Sequence, residues 1–475
     1  MRTRFQAQRM ASMFRPLALL LALATLATPR ALWAQDKATT EDIPLRPALF
    51  DQVQPMMKAL SEITGWKVKR YVPSELLSKK EFAAMVNEGV EESEKSEKVR
   101  AVELTLKMFG LTPWDYNFAQ ASADLIEEQA AAFYDFDKKR LFVLESTPDG
   151  LAQRVALVHE LAHALADQQH SLEDYIDDAD SDDESTARQA VVEGQANWLS
   201  FAYLSYTMQG IPEVPKLALD ALADAAGATG EEFPVLSAAP LYMRESLIFP
   251  YSEGMRFQDA VYRELGPDAF EQIFDDPPQS THDILHPDEY ATRGKPEHPK
   301  IPRLRDYIGR DEKKALKELD KGDVGEFDYL ILLRQYLTEP ALADPEFDKL
   351  LAARLAASAP DGEVTENTVT EEDLRALVSS WRGASFRLYE HKANYDPEKS
   401  PLLVHYSEWA SPEAAAEFFE LYKKVLAAKW DHMVTSTEST DRITGTGDTG
   451  DFLVQKEGAF VLSIEGIHPP RPRPE

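Results

Sequence analysis

Apolar positions along the chain keep two different rhythms. From Ala48 to about Phe118, and again from Gly194 to about Tyr290, they recur at helical spacing between proline-rich breaks. From Ser385 onward the rhythm changes. Ser385 to Tyr389 and Leu402 to Trp409 alternate apolar with polar residues, which predicts strands, and Pro412 to Trp430 predicts a helix with proline at its start. Phe452 to Gln455 and Ala459 to Ile464 predict a hairpin around Glu457-Gly458. Between the two textures, Gly325-Glu326-Phe327 opens an amphipathic helix to Leu337, and two further helices end near Trp381. A second hairpin is expected over Ala131 to Leu144, just before a helical run that is apolar nearly all round.

These patterns predict an α+β fold, predominantly helical. The expected divisions are a leader at 1–34, a main domain at 35–303, a helical segment at 304–381, a small α+β domain at 382–468 and a disordered Pro/Arg tail at 469–475. Residues 293–303 read as a linker, and no internal repeat is visible.

The leader changes the picture of location. Arg2, Arg4, Arg9 and Arg15 precede an apolar run from Leu17 to Ala27, and Ala34 suits a cleavage site. The chain is therefore expected to be exported, to a periplasm or the medium. The apolar run is too short to span a bilayer, so no stable membrane insertion is expected after cleavage. There is no cysteine, which rules out disulfides and thiolate metal ligands. Formal net charge is −31, and residues 1–34 hold five Arg and no acid, so the mature chain carries −31 − 5 = −36. Such a surface repels nucleic acid and anionic membranes, which excludes both as partners. With 475 residues and 44 % apolar content, the chain can build two or three cores.

Candidate chemistry lies in Arg154 to Leu165, which contains His159-Glu160-Leu161-Ala162-His163. Residues four apart share a helical face, so both imidazoles can meet one zinc ion, with Glu160 beside it as a proton acceptor. The bland reading is a pair of hydrogen-bonded core histidines. Against it, the flanking Val155 to Leu165 is apolar nearly all round, and buried polar groups there need partners.

A third ligand could come from His170 or Glu193. The metzincin pattern fails, because its glycine slot holds Ala166 and its last histidine slot holds Gln169. His170 then reads as an end-of-helix residue. Glu193 lies in a helical stretch from Ala187 to Leu199, and small Gly194 and Ala196 beside it allow close helix approach; its bland reading is a solvated helix face.

The His-Glu-x-x-His motif followed by Glu193-Gly194-Gln195-Ala196 resembles the gluzincin class, the thermolysin-like zinc peptidases. With the hairpin, Phe249 to Gly254 and Pro277 to Tyr290, the chain is also similar to a group of exported bacterial proteins with a gluzincin-like core. The resemblance implies one zinc per chain on His159, His163 and Glu193, Glu160 as general base, and a peptide or protein substrate. It implies that the edge strand at Ala132, Phe133 and Tyr134 holds the substrate backbone. Asn197 falls where these enzymes place a carboxylate on a ligand histidine. The oxyanion donor would be His286, Tyr251 or Tyr290, all in Pro-flanked, loop-like segments, with His286 ahead. The alternatives are a zinc amidohydrolase acting on other amides, or an inactive binding module retaining the site.

Glu173 to Glu184 is strongly acidic. Asp178, Asp180 and Asp182 echo the start of a calcium loop, but Asp183 fills its glycine slot and Gln189 its last position. A solvated acidic loop is the expectation, with weak calcium binding as the alternative. The oligomeric state and the substrate are not legible.

Overall fold

The computed structural model describes residues 49–145, 147, 150–216, 219, 233–338, 369–392 and 401–468. The predicted leader and the Pro/Arg tail lie outside the described residues. The fold is α+β and predominantly helical, with a separate β-sheet region in its C-terminal part.

The first region opens with α1 (Val53–Thr64), β1 (Ser74–Leu77), α2 (Lys79–Glu94), α3 (Glu97–Phe109) and α4 (Phe118–Gln129). The expected hairpin follows as β2 (Ala132–Asp135) and β3 (Arg140–Leu144), and β1 pairs parallel to β3 to complete a sheet ordered β1-β3-β2. Strand β2 is thus a free edge. The segment around the His-Glu-x-x-His motif forms α5 (Leu151–His170), whose residues 155–168 are all buried. The chain reverses at Ser171, a non-glycine residue at φ 47°, whose N–H caps Asp167. It then enters α6 (Leu172–Asp177) and α7 (Asp182–Gln209).

Helix α7 is packed along most of its length against α9 (Leu241–Leu265), which follows the short α8 (Pro234–Ala238). The small residues next to Glu193 explain this contact. A Cβ on Gly194 would lie 2.0 Å from the Gly254 carbonyl carbon, and one on Gly254 would lie 2.1 Å from the Ala190 oxygen. The close approach that Gly194 permits is therefore to α9, not to α5. Pro250 sits inside α9, so Phe249 to Gly254 is helical and not the expected loop. Packing of Phe249, Tyr251, Met255 and Phe257 in the core overrides the helix-breaking preference of proline. Two short helices, α10 (Ala269–Asp275) and α11 (Thr281–Leu285), and a 3₁₀ turn at Pro287–Thr292 close this region.

The C-terminal region departs from the expected boundaries. After α12 (Arg305–Ile308) and α13 (Arg310–Ala315), Leu316–Asp323 is a strand, β4, within the segment expected to be all helical. It pairs with β5 (Trp381–His391), beyond α14 (Glu326–Leu337) and α15 (Glu371–Val378). Then come β6 (Leu402–Trp409), α16 (Pro412–Lys429), β7 (Val434–Ser439), β8 (Arg442–Gly447), β9 (Gly450–Glu457) and β10 (Phe460–Ile467). The sheet is antiparallel throughout, ordered β4-β5-β6-β10-β9-β8-β7. Both edge strands, β4 and β7, are polar (Lys, Glu and Asp in one, Thr, Ser and Glu in the other), a composition that discourages edge pairing.

Packing also crosses the expected boundaries. Helices α14 and α16 cover one sheet face, and α3, from the first region, joins their core: Phe109 meets Phe386 edge-on at 5.8 Å. The other face is covered by Leu304 with Ile301, Tyr307 and Ile308. The segment read as a linker is strapped to the sheet, with Glu297 N–H donating to the Arg382 carbonyl at 2.7 Å. Among the described residues, no helix is long and apolar enough to cross a membrane.

Candidate metal centre

Residues four apart on α5 bring His159 and His163 to one spot, and α7 delivers Glu193 to the same spot from across the helix pair. The Nε2 atoms of the histidines lie 2.9 Å apart, and Glu193 Oε2 lies 3.1 Å from His159 Nε2 and 3.3 Å from His163 Nε2. Bonds of 2.0–2.1 Å at tetrahedral angles put zinc ligand atoms about 3.3–3.4 Å from one another. The three atoms stand at or slightly inside that spacing, so a small outward adjustment would admit the ion. All three residues are no more than 1 % exposed. Burial brings the His159 pKa down to about 4 against the pull of Glu193, so this imidazole is neutral. Burial alone would raise Glu193, but His163 and His159 beside it outweigh that and hold its carboxyl at about 2. Neutral imidazole and ionised carboxylate are the forms a divalent cation requires.

Glu160 is next to this cluster and fully buried. Its Oε2 accepts the Tyr134 N–H of strand β2 at 2.8 Å, while its Oε1 has no partner. Burial, reinforced by the Glu193 charge, pushes its pKa well above the usual carboxylate range; the Tyr134 N–H opposes the rise. An unpaired carboxylate oxygen in a buried site costs several kcal/mol unless a proton, water or ion meets it. His159 Nδ1 is the other orphaned atom here. Donor set and orphaned oxygen together fit zinc with a water beside Glu160.

The hairpin is fixed on α5 by a hub absent from the expectations. Asp167, one turn beyond His163, accepts the Tyr134 hydroxyl at 3.0 Å and pairs with Arg70 at 2.8 Å and Lys139 at 2.9 Å. Strand register pairs Phe133 with Phe142, and Leu144 N–H reaches Ala131 O. Alternation then turns the backbone groups of Phe133 toward β3 and those of Ala132 and Tyr134 toward the open edge. The Tyr134 N–H is already taken by Glu160, so of the three expected substrate contacts Ala132 keeps its edge groups free of the ladder and Tyr134 keeps its carbonyl. Phe133 instead packs its ring on Phe142 at 5.1 Å.

Of the proposed oxyanion donors, the structure brings only Tyr251 to the cluster. Its ring centroid is 6.0 Å from that of His159, and its hydroxyl hydrogen-bonds Glu193. Burial, then the charges of Glu193 and Glu160, keep the phenol protonated far above its usual range. His286 is placed elsewhere, its Nε2 2.9 Å from Glu326 Oε1. Tyr290 gives its hydroxyl to the Asp276 carbonyl and stacks under Arg293 at 4.2 Å. Proline-flanked sequence suggested free loops, but both residues are bound into turn structure. Asn197 Nδ2 donates to the Tyr251 carbonyl at 3.3 Å, so its amide holds α9 and not a ligand histidine. His170 ends α5, but its ring stacks on Phe274 at 4.2 Å instead of facing water.

The acidic stretch is not a solvated loop. Asp183 and Glu184 are buried, and Asp182 to Glu184 form the first turn of α7, where negative charge favours the helix N-terminus. Asp183 accepts from the Thr281 hydroxyl at 2.6 Å and the Thr281 N–H at 3.2 Å. Among the described residues, no metal-binding group includes Asp178, Asp180 or Asp182.

A family model described as a domain of unknown function (DUF8575) matches residues 314–470. That span begins just before β4 and covers the sheet, α14, α15 and α16. No curated protein and no solved structure matches the chain.

Proposed function

We propose that the protein is a zinc-dependent peptidase of gluzincin type, exported and acting on a peptide or protein substrate. The observation that carries this reading is Glu160 Oε1, buried and unpartnered beside three converging zinc-type donor atoms. His159, His163 and Glu193 would hold one zinc ion. When bound, zinc polarises the scissile carbonyl and makes a neighbouring water acidic. Glu160, ionised beside such a positive charge, would take the water proton and pass it to the leaving amine. The Tyr134 N–H holds the other Glu160 oxygen and so fixes the direction of the free one. The Tyr251 hydroxyl, released from Glu193, would supply the donor to the oxyanion.

Export rests on the leader sequence. The high negative charge argues against nucleic acid as a partner.

Burial of the whole cluster favours a second reading, in which the C-terminal region binds a partner and the zinc only clamps α5 to α7. Glu160→Gln separates the two. The peptidase reading expects full zinc content and hydrolysis of a mixed peptide library reduced by about 10²-fold or more. A wild-type chain that carries zinc yet cleaves nothing supports the clamp.

A further inference from the structure

A second cluster of the same composition stands apart from the first. His282 on α11 and His286 at its end are four residues apart, and both face Glu326 at the start of α14. His286 Nε2 lies 2.9 Å from Glu326 Oε1 and 3.2 Å from Oε2, and His282 Nδ1 is hydrogen-bonded to Oε2. Glu326 is only 3 % exposed, while His282 and His286 are 17 % and 27 % exposed. Three donor atoms therefore meet at a point that keeps one side toward solvent.

We propose that His282, His286 and Glu326 form a second divalent-metal site of zinc type, which clips the helical region to the C-terminal sheet region. Three features support it. First, the other nitrogen of His282, Nε2, stands 3.7 Å from the exposed Glu289 carboxylate. Without an ion Nδ1 carries the proton it donates to Glu326; an ion held there would displace that proton, and Glu289 is the carboxylate toward which the ring N–H would then turn, as do the partners of metal-bound histidines.

Second, the imidazoles are held by a scaffold that does not depend on Glu326. Thr281 is fixed by Asp183 through two bonds, and Asp283 accepts the Gln279 N–H at 2.7 Å and pairs with Arg293 at 3.2 Å. Arg293 is itself held by Asp276 at 2.7 Å. Third, the site stands where the two cores meet. Helix α11 packs on α7 and α9, and α14 spans both cores: Phe327 and Ile331 join the helical core, while Tyr329, Leu330 and Leu333 lie under the sheet.

The donor set of two imidazoles and a carboxylate suits zinc and its neighbours over calcium or magnesium. No carboxylate with an unpartnered buried oxygen stands beside it among the described residues, so the ion here would be structural. This site does not depend on the peptidase reading, and it raises the expected content to two ions per chain.

The test uses the full mature chain, stripped with a chelator and titrated with zinc. In His159→Ala, which disables the first cluster, about one zinc should still bind, and the thermal midpoint should rise by roughly several degrees with excess zinc. In His159→Ala/His286→Ala that zinc and that rise should vanish. If the double variant does not fold, His159→Ala/Glu326→Gln keeps the shape of the site and should bind at least about tenfold more weakly. The proposal is overturned if His159→Ala takes up no zinc, or if the ion persists unweakened in the double variants. His286→Ala alone reports on the first cluster, so failure of the peptidase site would appear there without touching this result.

Discussion

Each of the two histidine pairs sits four residues apart and faces a glutamate from another helix, yet the surroundings differ in every respect that matters for chemistry. The pair at His159 and His163 lies in the middle of a twenty-residue buried helix, with Glu160 between them. The pair at His282 and His286 lies at the end of a five-residue helix, half-open to water, and the residue after its first histidine, Asp283, is spent on Gln279 and Arg293. The first cluster thus has an unpartnered carboxylate oxygen beside it, and among the described residues the second has none. On the proposed reading, identical donors would serve hydrolysis in one place and cross-linking in the other, and the neighbouring proton acceptor would decide which.

The sharpest way to break this comparison is to exchange the acceptors. Glu160→Gln should lower hydrolysis of a peptide library by about 10²-fold or more with both clusters still loaded, because only basicity is removed. Glu289→Gln, beside the second cluster, should leave the rate within about twofold, as a small change to an orienting group far from the chemistry. Equal losses in both variants would show that the second cluster takes part in the reaction.

Next in size is the oxyanion donor. Tyr251→Phe deletes one hydroxyl at the first cluster and should lower kcat by up to about 10²–10³-fold with zinc content unchanged. His286→Ala should leave kcat intact while removing the second ion. A large kcat loss in His286→Ala with Tyr251→Phe silent would reverse the assignment drawn from their positions.

The same contrast sets how much of each cluster is legible in the sequence. The first cluster could be read because its signal is local: a motif with helical spacing in an unbroken apolar run, followed by Glu193 in a second helix. The second offers half of such a signal, since His282 and His286 also stand four apart, but its glutamate comes 40 residues later, beyond a 3₁₀ turn, two short helices and a strand. Tyr251 was expected in a loop because Pro250 normally interrupts a helix, and only packing against α7 overrules that preference. Strands β4 and β7 were missed for a related reason. An edge strand buries little, so Lys317-Glu318 and Thr435-Ser436-Thr437 carry no alternation to read. Long-range packing, such as Phe109 against the sheet, leaves no mark on local sequence at all.

A third buried histidine gives a contrast without metal chemistry. His405 in β6 is held between the Tyr422 hydroxyl at 2.9 Å and the Tyr329 hydroxyl at 3.4 Å, above a Lys429–Glu465 pair at 2.6 Å. Burial lowers its pKa to about 4, with Glu465 opposing and Lys429 assisting. A histidine depressed in the folded state contributes stability that is fully present above its ordinary pKa of 6.5. That contribution is lost as pH falls toward 4, because the unfolded chain binds the proton first. The full contribution is at most about 3 kcal/mol. The urea-unfolding advantage of wild type over His405→Gln should therefore shrink between pH 7 and pH 4. A pH-independent difference would mean that His405 ionises in the fold.

The smallest expected effect concerns the scaffold behind the second cluster. The Thr281 hydroxyl donates to Asp183 and accepts the Phe327 N–H at 3.2 Å, so one side chain ties α7, α11 and the first turn of α14 together. Gly325 is needed beside it, since a Cβ there would lie 1.9 Å from Asp183 Oδ1. Thr281→Val keeps the volume, removes that hydroxyl and leaves Asp183 with one donor fewer. Groups that orient ligands in this way typically change metal affinity by about 10–100-fold, and the lower end is expected because the Thr281 N–H bond survives. Zinc titration of His159→Ala/Thr281→Val should thus show affinity about tenfold below that of His159→Ala. In a wild-type background the same substitution should leave the Glu160-dependent rate unchanged, although Asp183 and Glu193 share one helix. A matched fall in both would mean that α7 couples the two clusters, and that the second ion, though structural, sets the position of Glu193 in the first.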